Sequence, residues 1–192
     1  MPVHGLSTES GQDPAPVRDF NLAGAGAARR SPFSLGLTTR APPARVAMNS
    51  PADPLQRFVI AQERDYARAL AELSAGRKRN HWIWYVLPQL RELGRSQTAR
   101  EYGIAGRSEA TNYFAHPVLG PRLVECVNAT LGHPGRSAVD ILGAIDATKF
   151  RSCLTLFAEV APTEPAFVAA LAQFYQGNPD NETLRLLRTA AP

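Results

Sequence analysis

From Asp53 to Leu187 the chain is written in helix punctuation. A capping residue or proline opens each segment, apolar residues recur every three or four positions, and glycine or proline closes it. No segment of strand length alternates with a period of two, so few folds stay open. Asp53-Pro54 supplies an N-cap and a first-turn proline. Leu55, Phe58, Val59, Gln62, Tyr66, Ala69, Leu70 and Leu73 then follow at helical spacing, and Gly76 ends the helix. Residues 82–87 are continuously apolar or aromatic up to Pro88, which predicts a buried helix, with a strand as the weaker rival. Ser96 caps a short helix to Tyr102 that Gly103 stops. Ser108 caps Glu109 to Ala115, and His116 must be extended because Pro117 follows it.

The second half repeats the pattern. Val118 to Leu131 forms an amphipathic helix closed by Gly132, and Ser137 with Asp140 resembles a capping box. Asp146 caps the longest core helix, with Phe150, Cys153, Leu154, Phe157 and Val160 on one stripe. Glu164-Pro165 opens another, and Asp180 caps the last, Thr183 to Leu187. The expectation is a single all-α multihelical orthogonal bundle of about eight helices over residues 51–190. Residues 1–50 differ: they are rich in Gly and Pro, and their apolar residues keep no period. They are expected to be a disordered tail or a mis-called N-terminal extension, with Met48 the natural start. Their Arg, Ser and Ala content and few acids also resemble an organellar transit peptide.

Composition removes several function classes. A formal charge of +4 on 192 residues is mild, and the cations are spread apart from Arg77, Lys78 and Arg79, so nucleic acid is the weakest of the partners considered. Two cysteines, Cys126 and Cys153, in apolar helical settings make no disulfide framework, and a reducing cytoplasm is the simplest location. A run of about 18 apolar residues is missing, so no membrane partner is expected. Phosphate-loop and dinucleotide glycine fingerprints are absent, His81, His116 and His133 have no close ligand spacing, and no cofactor or metal is implied.

Several strings carry a resemblance when taken together: His81-Trp82-Ile83-Trp84, Leu87-Pro88-Gln89, Gly94-Arg95-Ser96, Tyr102-Gly103-Ile104, His116-Pro117-Val118-Leu119-Gly120, Arg122-Leu123 and Lys149 through Phe157. From about Asp53 to Leu187 the chain resembles a bacterial and fungal domain family of unknown function, sometimes labelled calpastatin-like, whose structural prototype is a mycobacterial all-helical protein. The resemblance implies one multihelical domain and supports Met48 as the start. The calpastatin label carries no weight, because calpastatins are long, disordered and repetitive.

The functional expectation therefore rests on residues. Between Gly76 and Leu90 a basic run, Arg77, Lys78 and Arg79, meets His81, Trp82, Trp84 and Tyr85, and both tryptophans of the chain lie there. Buried Trp N–H and Tyr O–H groups need partners, so a plain core would not select this mixture. A pocket for an anionic ring would use it. Trp82 or Trp84 would stack, the cations would meet phosphate, and His81 would act as acid, base or hydrogen-bond donor, with Gln89 as a further polar group. The plainer reading makes the cations a solvated loop and the aromatics core.

On the later helix Lys149 and Ser152 share a face and could project into the same pocket, rimmed by Tyr102, Tyr113 and His116. The plainer reading has those hydroxyls bonded to the preceding turn. The candidate pocket is His81, Trp82, Trp84, Gln89, Tyr102, Lys149 and Ser152, for a nucleotide or ADP-ribose-like ligand. Asp146, Glu101 and Glu109 are carboxylates for sugar hydrolysis without a convincing pair. Two alternatives stand beside this one: an interaction module whose protein partner is unknown, and a weak nucleic-acid binder using the basic loop and Arg95.

Overall fold

A computed structural model describes residues 53–189. The expectation for residues 1–50 lies outside the described residues. Within them the chain forms nine α-helices and no strand. α1 (Gln56–Ser74) is followed by the short α2 (Ile83–Val86), a 3₁₀ turn (Arg91–Leu93), α3 (Gln97–Glu101) and α4 (Arg107–Ala115). Then come α5 (Leu119–Leu131), α6 (Ala138–Leu142), α7 (Ala144–Val160), α8 (Pro165–Tyr175) and α9 (Asn181–Thr189). α5 packs on α1, α4 and α8, while α7 packs on α4, α6, α8 and α9. Phe157 sits where these packings meet, its ring centroid 5.7 Å from that of Phe167 and 5.5 Å from that of Tyr113.

Most punctuation acts as the residue types dictate. Ser96 accepts from the Ala99 N–H, Ser137 and Asp140 form a reciprocal capping box, and Glu164 accepts from the Ala166 N–H ahead of Pro165. Three boundaries differ. Asp53 holds the Leu55 N–H at 2.9 Å in a turn, and α1 begins only at Gln56. Ser108 lies inside the first turn of α4, which opens after Gly106 without a side-chain cap, while Glu109 accepts from the Ala105 N–H at 2.6 Å. Asp146 likewise falls inside α7, which starts after Gly143 at φ +82°, and at 17 residues α7 is shorter than the 19 of α1.

Polar residues on apolar faces lock the helices in register. Gln62 is buried on α1 and donates to the Tyr85 carbonyl at 2.7 Å and to the Tyr113 hydroxyl at 3.0 Å. α1, α2 and α4 thereby share one hydrogen-bonded knot, where an unmade bond would cost more than a made one contributes. The turn between α4 and α5 is equally constrained, since His116 Nδ1 accepts from the N–H groups of Val118 and Leu119.

Gly120 lies where backbone meets backbone, and a Cβ there would stand 1.9 Å from the Phe114 carbonyl oxygen. Gly120→Ala must therefore push α4 and α5 apart. We expect a loss of about 1–3 kcal/mol in denaturant unfolding, and an unchanged midpoint would show that the junction is slack.

Candidate functional site

The segment between α1 and α2 is organised by a residue the motif reading passed over. Glu72, 9% exposed, sits on the apolar side of α1 beside Leu73. Its carboxylate accepts from the N–H of Arg79 at 2.8 Å, the N–H of Asn80 at 3.2 Å and the Trp82 indole N–H at 2.8 Å, and also from the Asn80 side chain. Burial alone would raise its pKa, but these donors outweigh burial and bring it down to about 2.

Trp82 is thus a fully buried structural residue and not a ligand platform. Tyr102 is also elsewhere, half-buried with its ring 6.1 Å from Phe58 and 5.2 Å from Tyr85. Tyr113 is in the core and His116 is spent on the α5 turn, so neither rims a pocket with Trp84.

The basic run divides in the same way. Arg77 and Arg79 are exposed, whereas Lys78 turns inward, its side chain 7% exposed. The Lys78 ammonium lies 2.6 Å from Asp146 and 5.1 Å from the centroid of the Trp82 ring. Asp146 also receives Lys149 at 2.7 Å, and Lys149 lies 4.9 Å from the Trp84 ring centroid. Burial would raise the Asp146 pKa, but the two lysines pull it below the usual carboxylate range, so it is not a general acid near neutrality. The chain Lys78, Asp146, Lys149 joins the loop after α1 to a cleft on the far side of α2.

That cleft has a volume of about 520 Å³, with α2, the 3₁₀ turn and α3 on one side and α7 with the start of α9 on the other. Trp84, Gln89, Lys149 and Ser152 of the expected set line it. Pro88 explains why Gln89 joins Trp84: α2 stops at Val86, so Gln89 does not continue on the helical face of Trp82. His81 stays exposed, its ring 6.5 Å from that of Trp84 with 27° between their planes.

Arg95, Ser96, Thr148, Asp180 and Glu182 complete the polar lining. Ser96 and Asp180 are readable from sequence only as helix caps. They do act as caps, and the two capped ends meet at this cleft.

The donors are not all spent. The half-buried Trp84 indole N–H and Gln89 carboxamide and the exposed Arg95 guanidinium make no hydrogen bond to a described residue, and among those residues Arg57 Nε is the one buried side-chain polar atom left unpaired. The three cleft groups are therefore open to solvent or ligand. A larger cavity of about 850 Å³ lies beside the start of α4 and holds that unpaired Arg57 Nε, while most of its other cationic nitrogens are paired. Arg57 pairs with Glu109 at 2.8 Å and Arg107 with Glu159 at 3.2 Å, leaving Arg91.

The family model described as Protein of unknown function (DUF1810) matches residues 52–187. The chain belongs to this family. Among solved structures it is similar to the conserved hypothetical protein Rv1873 from Mycobacterium tuberculosis, at 46% identity and a TM-score of 0.70 over 72% of this chain and 100% of that one. No curated protein matches. Neither description names an activity, so membership carries the fold and leaves the chemistry to the cleft. No described helix is long and apolar enough to cross a membrane.

Glu72→Ala would strip the acceptor from two backbone N–H groups and an indole in one step. We expect a loss on the order of 3 kcal/mol. The native carboxyl sits at about 2 against an ordinary 4.5, so its contribution is present above about 4.5 and is lost as pH falls toward about 2. Acid unfolding followed by circular dichroism should accordingly be shallower below pH 4.5 in Glu72→Gln than in the natural chain, and parallel curves would contradict this.

Proposed function

We propose that the cleft between α2 and α7 binds a small anionic ligand carrying a planar ring, of the nucleotide or ADP-ribose-like class. The observation that carries the reading is that Trp84, Gln89, Arg95 and Lys149 line one concavity. Its volume falls in the range of small-molecule sites. Arg95 offers a guanidinium fork for phosphate, and Lys149 brings a second cation to the face of Trp84, where an anionic group and a ring would meet. Trp84 and Gln89 would orient the ring through its edge.

An interaction module draws less support. The large exposed apolar residues Ile60, Val139, Ile145 and Val168 are spread over four helices, and exposed apolar residues are ordinary on a surface. Nucleic-acid binding through the basic loop draws less again, since Lys78 turns inward and leaves Arg77 and Arg79 as the exposed cations of that loop.

A thermal-shift series of nucleotides and ADP-ribose on the full chain tests the proposal. A ligand at one hundred times its dissociation constant adds about 2.7 kcal/mol. We expect a positive shift with quenching of tryptophan fluorescence, both much reduced in Lys149→Ala and Arg95→Ala while the unliganded melting point holds. If no anionic ring ligand shifts the melting point, the proposal fails.

A further inference from the structure

Resting on that reading of the cleft, we infer that its ligand bears a sugar of the ribose class and that Asp180 accepts a hydrogen bond from a sugar hydroxyl. A carboxylate is a poor neighbour for an anion, because like charges repel across a partly desolvated gap. Two carboxylates nevertheless line this cleft. Glu182 is occupied, its two oxygens held by Arg185 at 2.6 and 2.8 Å.

Asp180 is held through one oxygen only. Oδ2 accepts from the Thr183 N–H at 3.0 Å, the Thr183 hydroxyl at 2.5 Å and the Ser152 hydroxyl at 3.1 Å. Oδ1 accepts from no described residue and is not sealed from solvent. The backbone of Asp180 is pinned as well, its N–H donating to the Thr155 hydroxyl at 2.8 Å.

An ionised carboxylate only accepts, so the ligand group it suits must be a donor. On a ring-bearing phosphate ester the uncharged donors besides the base are sugar hydroxyls, and acidic side chains in dinucleotide sites read ribose in this way. Ser152 and Lys149 lie one turn apart on α7. The helix can therefore orient the carboxylate from one residue and present a cation from the other. Ser152 is a positioning residue here, acting through Asp180.

Titration calorimetry on the full chain with AMP, 2′-deoxy-AMP and 2′,3′-dideoxy-AMP reads the inference directly. We expect the dideoxy analogue to bind on the order of ten-fold more weakly than AMP, the loss of one hydrogen bond to a charged acceptor. In Asp180→Asn, which still caps α9, that ratio should fall close to one. Equal binding of all three by the natural chain overturns the sugar inference and leaves the ligand cleft standing. Discrimination that survives in Asp180→Asn also overturns it. Should none of the three bind, while the thermal series also finds no ligand, the cleft reading falls and this inference with it.

Discussion

The carboxylate of Glu72 is the interaction on which the rest of the site depends. Burying a charge on the apolar side of a helix is costly unless donors surround it, and the turn that leaves α1 provides them. By accepting from Arg79, Asn80 and Trp82, Glu72 ties the end of α1 to the start of α2 and pulls one indole into the core. Side chains two residues apart on a helix leave it in nearly opposite directions. With Trp82 committed inward, Trp84 is presented outward to the cleft.

The same turn carries Lys78 to Asp146, and through Asp146 the position of Lys149 is set. A buried pair of this kind adds little net stability, since desolvation offsets most of the Coulomb gain. Its effect is geometric: the cation over Trp84 is held by residues on both α7 and the loop after α1. On the same wall, Ser152 and Thr155 of α7 hold Asp180 by side chain and by backbone. Lys149 and Asp180 are thus each held by neighbouring residues, Asp146 for one and Ser152 with Thr155 for the other, which preorganises these charged groups on α7 and at the start of α9.

Fold class was legible because helix signals are local. Ser96, Ser137, Glu164 and Asp180 announce helix starts by chemistry that needs no tertiary partner. The displaced starts fall at residues engaged otherwise: Asp53 holds the Leu55 N–H in a turn, Ser108 lies in a helix that opens after Gly106, and Asp146 is bound by two lysines. Trp84, Gln89, Lys149 and Ser152 could be named from the sequence as polar or aromatic residues out of place in apolar segments. Trp82 belonged to the same pattern and went to the core, because its partner, Glu72, lies ten residues earlier on another helix. Glu72 did leave a signal, a carboxylate adjoining Leu73 on the buried stripe of α1. Arg95 and Asp180 reach the cleft only through tertiary packing, so their roles as loop cation and helix cap were all the sequence could display.

Glu72 divides the two tryptophans, one structural and one open to the cleft. Solvent exchange of the two indole N–H signals, measured by ¹⁵N-resolved NMR on the unliganded protein, tests this directly. We expect one strongly protected signal, from Trp82, and one that exchanges rapidly, from Trp84. Two protected signals, or rapid exchange at Trp82, would contradict it.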